Sequence, residues 1–140
     1  MKRHPELLNL SREHYAALKL ARDARRAAES GDSVAICQLS RRVADAFANE
    51  LDPHFRHEEE GVLPYLAQSG RDDLVQQALS DHAALRALVS ILHVPQASAL
   101  LRFAELMAEH VRFEERELFE TAQTLLASTG HATFPQEQRP

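Results

Sequence analysis

The 140-residue sequence has a single cysteine, Cys37, no tryptophan, four glycines and six prolines. One cysteine excludes an intramolecular disulfide and any cysteine-rich zinc or iron–sulfur site. A reducing cytoplasm is therefore the expected setting. No catalytic partner neighbours Cys37, which reads as a small packed or half-exposed residue rather than a nucleophile. Charged residues are plentiful but mixed in sign, with no excess of positive charge. The formal net charge is −5 and no basic block is present, so no nucleic-acid partner is expected. No apolar run approaches the roughly 18 residues a membrane helix needs. The start, Met1-Lys2-Arg3-His4-Pro5-Glu6, lacks the apolar segment of a secretory signal.

What remains is a set of long segments with few breakers. Hydrophobic residues make up 44% of the chain, enough for one core in one domain. Apolar positions recur at three- and four-residue steps, and no period-two alternation competes with them. A first helix is expected from about Glu6 or Ser11 to Glu29, with Leu7, Leu10, His14, Leu18, Ala21 and Arg25 on one face. Gly31 is placed to end it, and Asp32 or Ser33 to cap the next. The second segment, Ser33 to Pro64, presents Ile36, Leu39, Val43, Phe47, Leu51, His54, Glu58 and Val62. Pro53 predicts a kink or short break within it; Gly61 and Pro64 are expected to end it, before a turn at Gln68-Ser69-Gly70. The third, Asp72 to about His93, presents Leu74, Ala78, His82, Leu85, Val89 and Leu92. The fourth, Gln96 to Ser128, presents Leu100, Phe103, Met107, His110, Glu114, Leu118, Thr121 and Leu125. Four amphipathic segments with short connections predict an all-α fold, an up-down-up-down antiparallel four-helix bundle over residues 1–128. Residues 129–140 are expected to be a polar, mobile tail.

Two histidine–glutamate pairs at four-residue spacing, His54 with Glu58 and His110 with Glu114, each stack on one helix face. The spacing itself is weak. With 8 histidines and 14 glutamates, chance predicts about 0.8 such pairs, and two occur. Their placement is the stronger signal. His14, His54, Glu58, His82, His110 and Glu114 all occupy slots in apolar stripes, where ionisable groups are costly unless paired or bound to a metal. Counting from the turns, His54 and His82 lie level, and His82 and His110 differ by about 6 Å. His14 and His54 differ by about 9 Å, which a kink or tilt would absorb. Four imidazoles and two carboxylates without a thiolate suit iron, manganese or zinc rather than calcium. Carboxylates bridge metals, so the set suits a dinuclear centre.

At these residues the sequence resembles the hemerythrin family, specifically the bacterial HHE cation-binding domains. The family pattern is a histidine, a His-x-x-x-Glu pair, a histidine and a second pair, one element per helix. Here it reads His14, His54 to Glu58, His82, and His110 to Glu114, with Leu63-Pro64 and Leu118-Phe119 as matching flanks. The resemblance covers about residues 7 to 126. It implies two iron ions held by the four histidines and bridged by Glu58 and Glu114, with Mn or Zn as substitutes. It also implies a small diatomic ligand, O2 or NO. Oxygen-carrying members have a second histidine one turn from that of the third helix. Here those positions are Ala78 and Arg86, which weakens oxygen carriage and favours redox turnover, NO or peroxide chemistry, or sensing. A helical interaction module with a structural metal is the reading from a different class.

The other polar residues have plainer expectations. His57 should face away from the site, His93 should favour a helix C-terminus, and His4 and His131 should be exposed. Glu59, Glu60, Glu115 and Glu117 read as a solvated acidic face, with Glu115 a ligand only if the helix register shifts by one. Tyr15 and Tyr65 read as packing residues.

Overall fold

The computed structural model describes residues 3–130, 133 and 134. The expectations for residues 131, 132 and 135–140 of the tail, His131 among them, lie outside the described residues. The described chain is helical throughout, in four rods that form a bundle: α1 (Pro5–Ser30); α2 (Ser33–Ala46), α3 (Asp52–Glu60) and α4 (Val62–Gln68); α5 (Asp72–Ser90); and α6 (Ala97–Phe113) with α7 (Phe119–Thr129). Among the described residues, no helix is long and apolar enough to cross a membrane.

The rod ends follow local chemistry. Pro5 opens α1, where its missing N–H costs nothing, and the His4 ring accepts from Glu6 N–H at 3.1 Å. His4 is thus a half-buried cap rather than an exposed terminal residue. Gly31 ends α1 at φ 70°, and Asp32 caps α2 by accepting from Val34 N–H at 2.9 Å. His93 Nδ1 donates to the Ser90 carbonyl at 2.9 Å, closing the last turn of α5.

The interruption expected at Pro53 takes the form of a π turn, Phe47–Leu51, which does not end the rod; in it Asp52 N–H bonds Phe47 C=O. Bonding five residues back accommodates a following residue that has no N–H to offer. Nor does Pro64 end the rod. It sits in the first turn of α4, where no intrahelical donor is needed, and the break falls at Gly61.

The first face also shifts. Leu18 is 41% exposed and Arg25 is exposed, while Ala17, Leu20, Ala21, Ala24 and Ala27 are buried. Four-residue steps drift off a 3.6-residue period, and alanine is a faint hydrophobic signal. These small residues allow α1 to lie closely along α6. A second π turn, Glu114–Leu118, moves the face of the last rod by one residue. Ala122 and Leu126 are therefore buried where Thr121 and Leu125 were expected, and those two are half-buried.

The core divides into two apolar clusters. One contains Leu7, Leu10, Leu63, Leu74, Ala78 and Leu118; the other contains Ala17, Leu51, Leu85, Phe103 and Met107. Along α1, α5 and α6 the histidine lies between residues of the two clusters. The polar layer is therefore sealed from above and below.

Candidate metal centre

All six polar positions come together in that layer. His14, His54, Glu58 and Glu114 form one group whose candidate ligand atoms lie within 4.8 Å of one another; Glu58, His82, His110 and Glu114 form a second. The two glutamates are common to both. Each of the six is at most 5% exposed, and Glu58, His82 and Glu114 are fully buried.

The inner nitrogens face the shared carboxylates. His14 Nε2 lies 2.9 Å from Glu114 Oε1, and His110 Nε2 lies 3.3 Å from the same oxygen. His54 Nε2 is 3.2 Å from Glu58 Oε2, and His82 Nε2 is 3.0 Å from Glu58 Oε1. Close approach is not satisfaction. Among the described residues, six buried side-chain atoms lack a hydrogen-bond partner of adequate geometry: His54 Nε2, His82 Nε2, His110 Nε2, both Glu58 oxygens and Glu114 Oε2. All six belong to this constellation. Buried polar atoms are rarely orphaned in native proteins, and a coordinated cation would satisfy these together.

The outer nitrogens are each held by another carboxylate. His14 Nδ1 donates to Glu115 at 2.7 Å, His54 Nδ1 to Glu13 at 2.9 Å, His82 Nδ1 to Glu59 at 2.7 Å, and His110 Nδ1 to Asp81 at 2.8 Å. Glu59 and Glu115 are therefore part of the site's surroundings, not a solvated face. Glu114 remains the interior residue, and the π turn places Glu115 on the outer side of His14. Arg86, one turn after His82, bonds Glu59 at 3.0 Å and Asp52 at 2.8 Å. It links α5 to α3 from outside. His57 is exposed, as expected. Tyr15 is not a packing residue, being 79% exposed, whereas Tyr65 is 5% exposed.

The electrostatics match a site built for a cation. Burial raises the Glu58 carboxyl, and the nearby Glu114 charge raises it further. Burial alone would do the same to Glu114, but His110, His14 and His54 hold it well below the usual carboxylate range. Burial disfavours charged imidazoles, yet contact with Glu114 and Glu58 raises His54 to about 11, and Glu114 and Asp81 raise His110 to about 10. In the metal-free domain, protons occupy the places a metal would take.

A family model of the hemerythrin HHE cation-binding domain matches residues 7–122. The chain belongs to that family. Comparison with curated proteins and with solved structures returned no match. Metal binding by this hemerythrin-like domain thus has two supports, the family and the two buried ligand groups.

The raised histidines give a pH dependence with a defined sign. Below the ordinary histidine value of 6.5 the charged imidazoles stabilise the metal-free fold fully, and that contribution is lost as pH rises through about 10 to 11. Metal must displace the same protons, so affinity should rise with pH, by about tenfold per unit for each proton displaced. Chelator competition at two pH values, with calorimetry in buffers of different ionisation enthalpy, would read this. Affinity that does not change with pH would contradict it.

Proposed function

We propose that the domain is a non-haem di-iron protein that binds O2, NO or a related small ligand for sensing, protection or storage. The observation that carries this reading is the pair of buried four-residue groups sharing Glu58 and Glu114. Two imidazoles and two shared carboxylates per group suit a divalent or trivalent transition metal. Bound iron would supply open coordination positions and a change of redox state. The chain's own part is to hold the ligands, keep bulk water away and leave a small molecule a way in. The surroundings of His14 support the last task. That residue borders a narrow apolar gap inside, beside Ala17, Leu51, Met107 and Val111, and an outer cleft of about 230 Å³ that includes Tyr15 and Leu18.

The bundle reads as up-down-up-down. The α1 rod runs from the cluster of Leu7 towards that of Ala17, while α6 runs from the cluster of Phe103 towards that of Leu118. Opposite senses on neighbouring rods support antiparallel packing.

Protein grown with iron should contain about two irons per chain. Folded, metal-free protein that takes up no iron would overturn the reading. An enzymatic variant, oxidase- or peroxidase-like or NO-reducing, is favoured by one observation. The third rod offers Ala78 and an outward Arg86 instead of a further imidazole, so this chain would supply fewer ligands and leave a bound metal freer to take an external one. Mixing reduced protein with O2 in a single turnover separates the two, because a stable reversible adduct argues against turnover.

A further inference from the structure

The contacts on the outer nitrogens form a closed circuit. Glu13 of α1 accepts from His54 of α3; Glu59 of α3 accepts from His82 of α5. Asp81 of α5 accepts from His110 of α6, and Glu115, in the π turn after α6, accepts from His14 of α1. Every acceptor is next in sequence to a member of the central constellation on its own rod: Glu13 beside His14, Glu59 beside Glu58, Asp81 beside His82 and Glu115 beside Glu114. Adjacent helix residues point about 100° apart. A rod that aims one residue at the centre therefore turns its neighbour to the seam with the next rod.

We propose that this four-carboxylate ring is a positioning device, which fixes each histidine with Nε2 inward and raises its donor strength towards metal. The ring rests on the metal-binding reading above. A carboxylate on the outer nitrogen fixes the tautomer and makes the imidazole a better donor. The four members are not equivalent. Glu59 is shared with Arg86 at 3.0 Å, and Glu115 with Arg3 at 3.2 Å and Ser11 at 2.8 Å. Asp81 has a neutral partner, Gln77 at 3.0 Å. Among the described residues, Glu13 has His54 alone. Each four-residue group thus contains one histidine whose acceptor is offset by arginine and one whose acceptor is not. Of the two uncompensated carboxylates, the Asp81 side chain is 12% exposed and that of Glu13 is 53% exposed. Water screens Glu13, so Asp81 delivers the largest effect on its histidine.

The test uses the full chain stripped of metal, with zinc as a redox-silent probe titrated against a chelator. Asp81→Asn keeps an acceptor oxygen and removes only the charge. It should weaken zinc binding by about 10- to 100-fold, Glu59→Gln by less, and Glu13→Gln least. Glu60→Gln, an exposed control on α3, should change nothing. Iron-loaded Asp81→Asn should also show a higher midpoint potential than wild type, because less negative charge faces the oxidised metal. Circular dichroism of the metal-free variants checks folding; should Asp81→Asn fail to fold, the order of Glu59→Gln and Glu13→Gln decides. Variants that bind zinc within about twofold of wild type, far below the usual cost of losing such a contact, overturn the ring. Wild type that binds zinc but takes up no iron overturns the di-iron reading and leaves the zinc comparison to judge the ring. Wild type that binds neither overturns both.

Discussion

Glu114→Ala is expected to empty the centre of metal and to destabilise the domain by about 3–5 kcal/mol. Glu114 is fully buried, belongs to both ligand groups and lies within 4 Å of three imidazoles. Removing it takes away the buried carboxylate that all three inner nitrogens share and leaves only their outer carboxylates and Glu58 to balance the charge, which is the costly way to break a buried pair. Glu114→Gln separates the two consequences. It keeps the volume and one acceptor oxygen, so the fold should survive better, while a neutral amide cannot bridge cations as a carboxylate does. Metal analysis with chemical denaturation reads both effects. Glu114→Ala protein with wild-type metal content would show that the carboxylate is not a shared ligand. The exposed His57→Ala should leave metal content unchanged.

Phe55→Ala should cost about 3–5 kcal/mol as well, by a different route. Phe55 is 1% exposed and stacks on His82 at 4.0 Å between ring centres, only 13° from parallel. It also meets His110 edge-on at 5.6 Å and Phe47 at 5.8 Å. Truncation opens a cavity against two imidazoles, so His82 gains freedom to rotate and its hydrogen bond to Glu59 weakens. The denaturation midpoint should fall with an unchanged slope, and metal affinity should fall with it. A loss below about 1 kcal/mol would mean that neighbouring side chains collapse into the space.

The two substitutions differ in how visible their importance is in the sequence. Glu114 stands out because a carboxylate in an apolar stripe is anomalous. Phe55 does not, since an aromatic beside a histidine has no single meaning. It is buried one residue after His54 and four after Leu51, on the face that the rod already turns to the core. On the fourth rod, the π turn after His110 moves burial from Thr121 and Leu125 to Ala122 and Leu126. A fixed helical period cannot anticipate an inserted residue. Leu18 was misplaced for a related reason: the true stripe beyond His14 is built mainly from alanines, which spacing arguments weigh lightly.

Four helical rods and six polar positions aimed at one layer were legible from sequence alone. Burial repeats with the helical period, so a residue's spacing from its apolar neighbours says which way it points. The outer contacts were not legible. Glu13, Glu59, Asp81 and Glu115 meet histidines 23 to 101 residues away, each on another rod. Their roles depend on how far each rod is rotated about its axis, and local spacing does not record that. Tertiary packing sets the rotation: small residues bring α1 close to α6, and the π turn Glu114–Leu118 changes the register of the fourth rod. Glu59 and Glu60 look alike as neighbours in a run of three glutamates. Only the packed bundle turns one towards His82 and leaves the other in water.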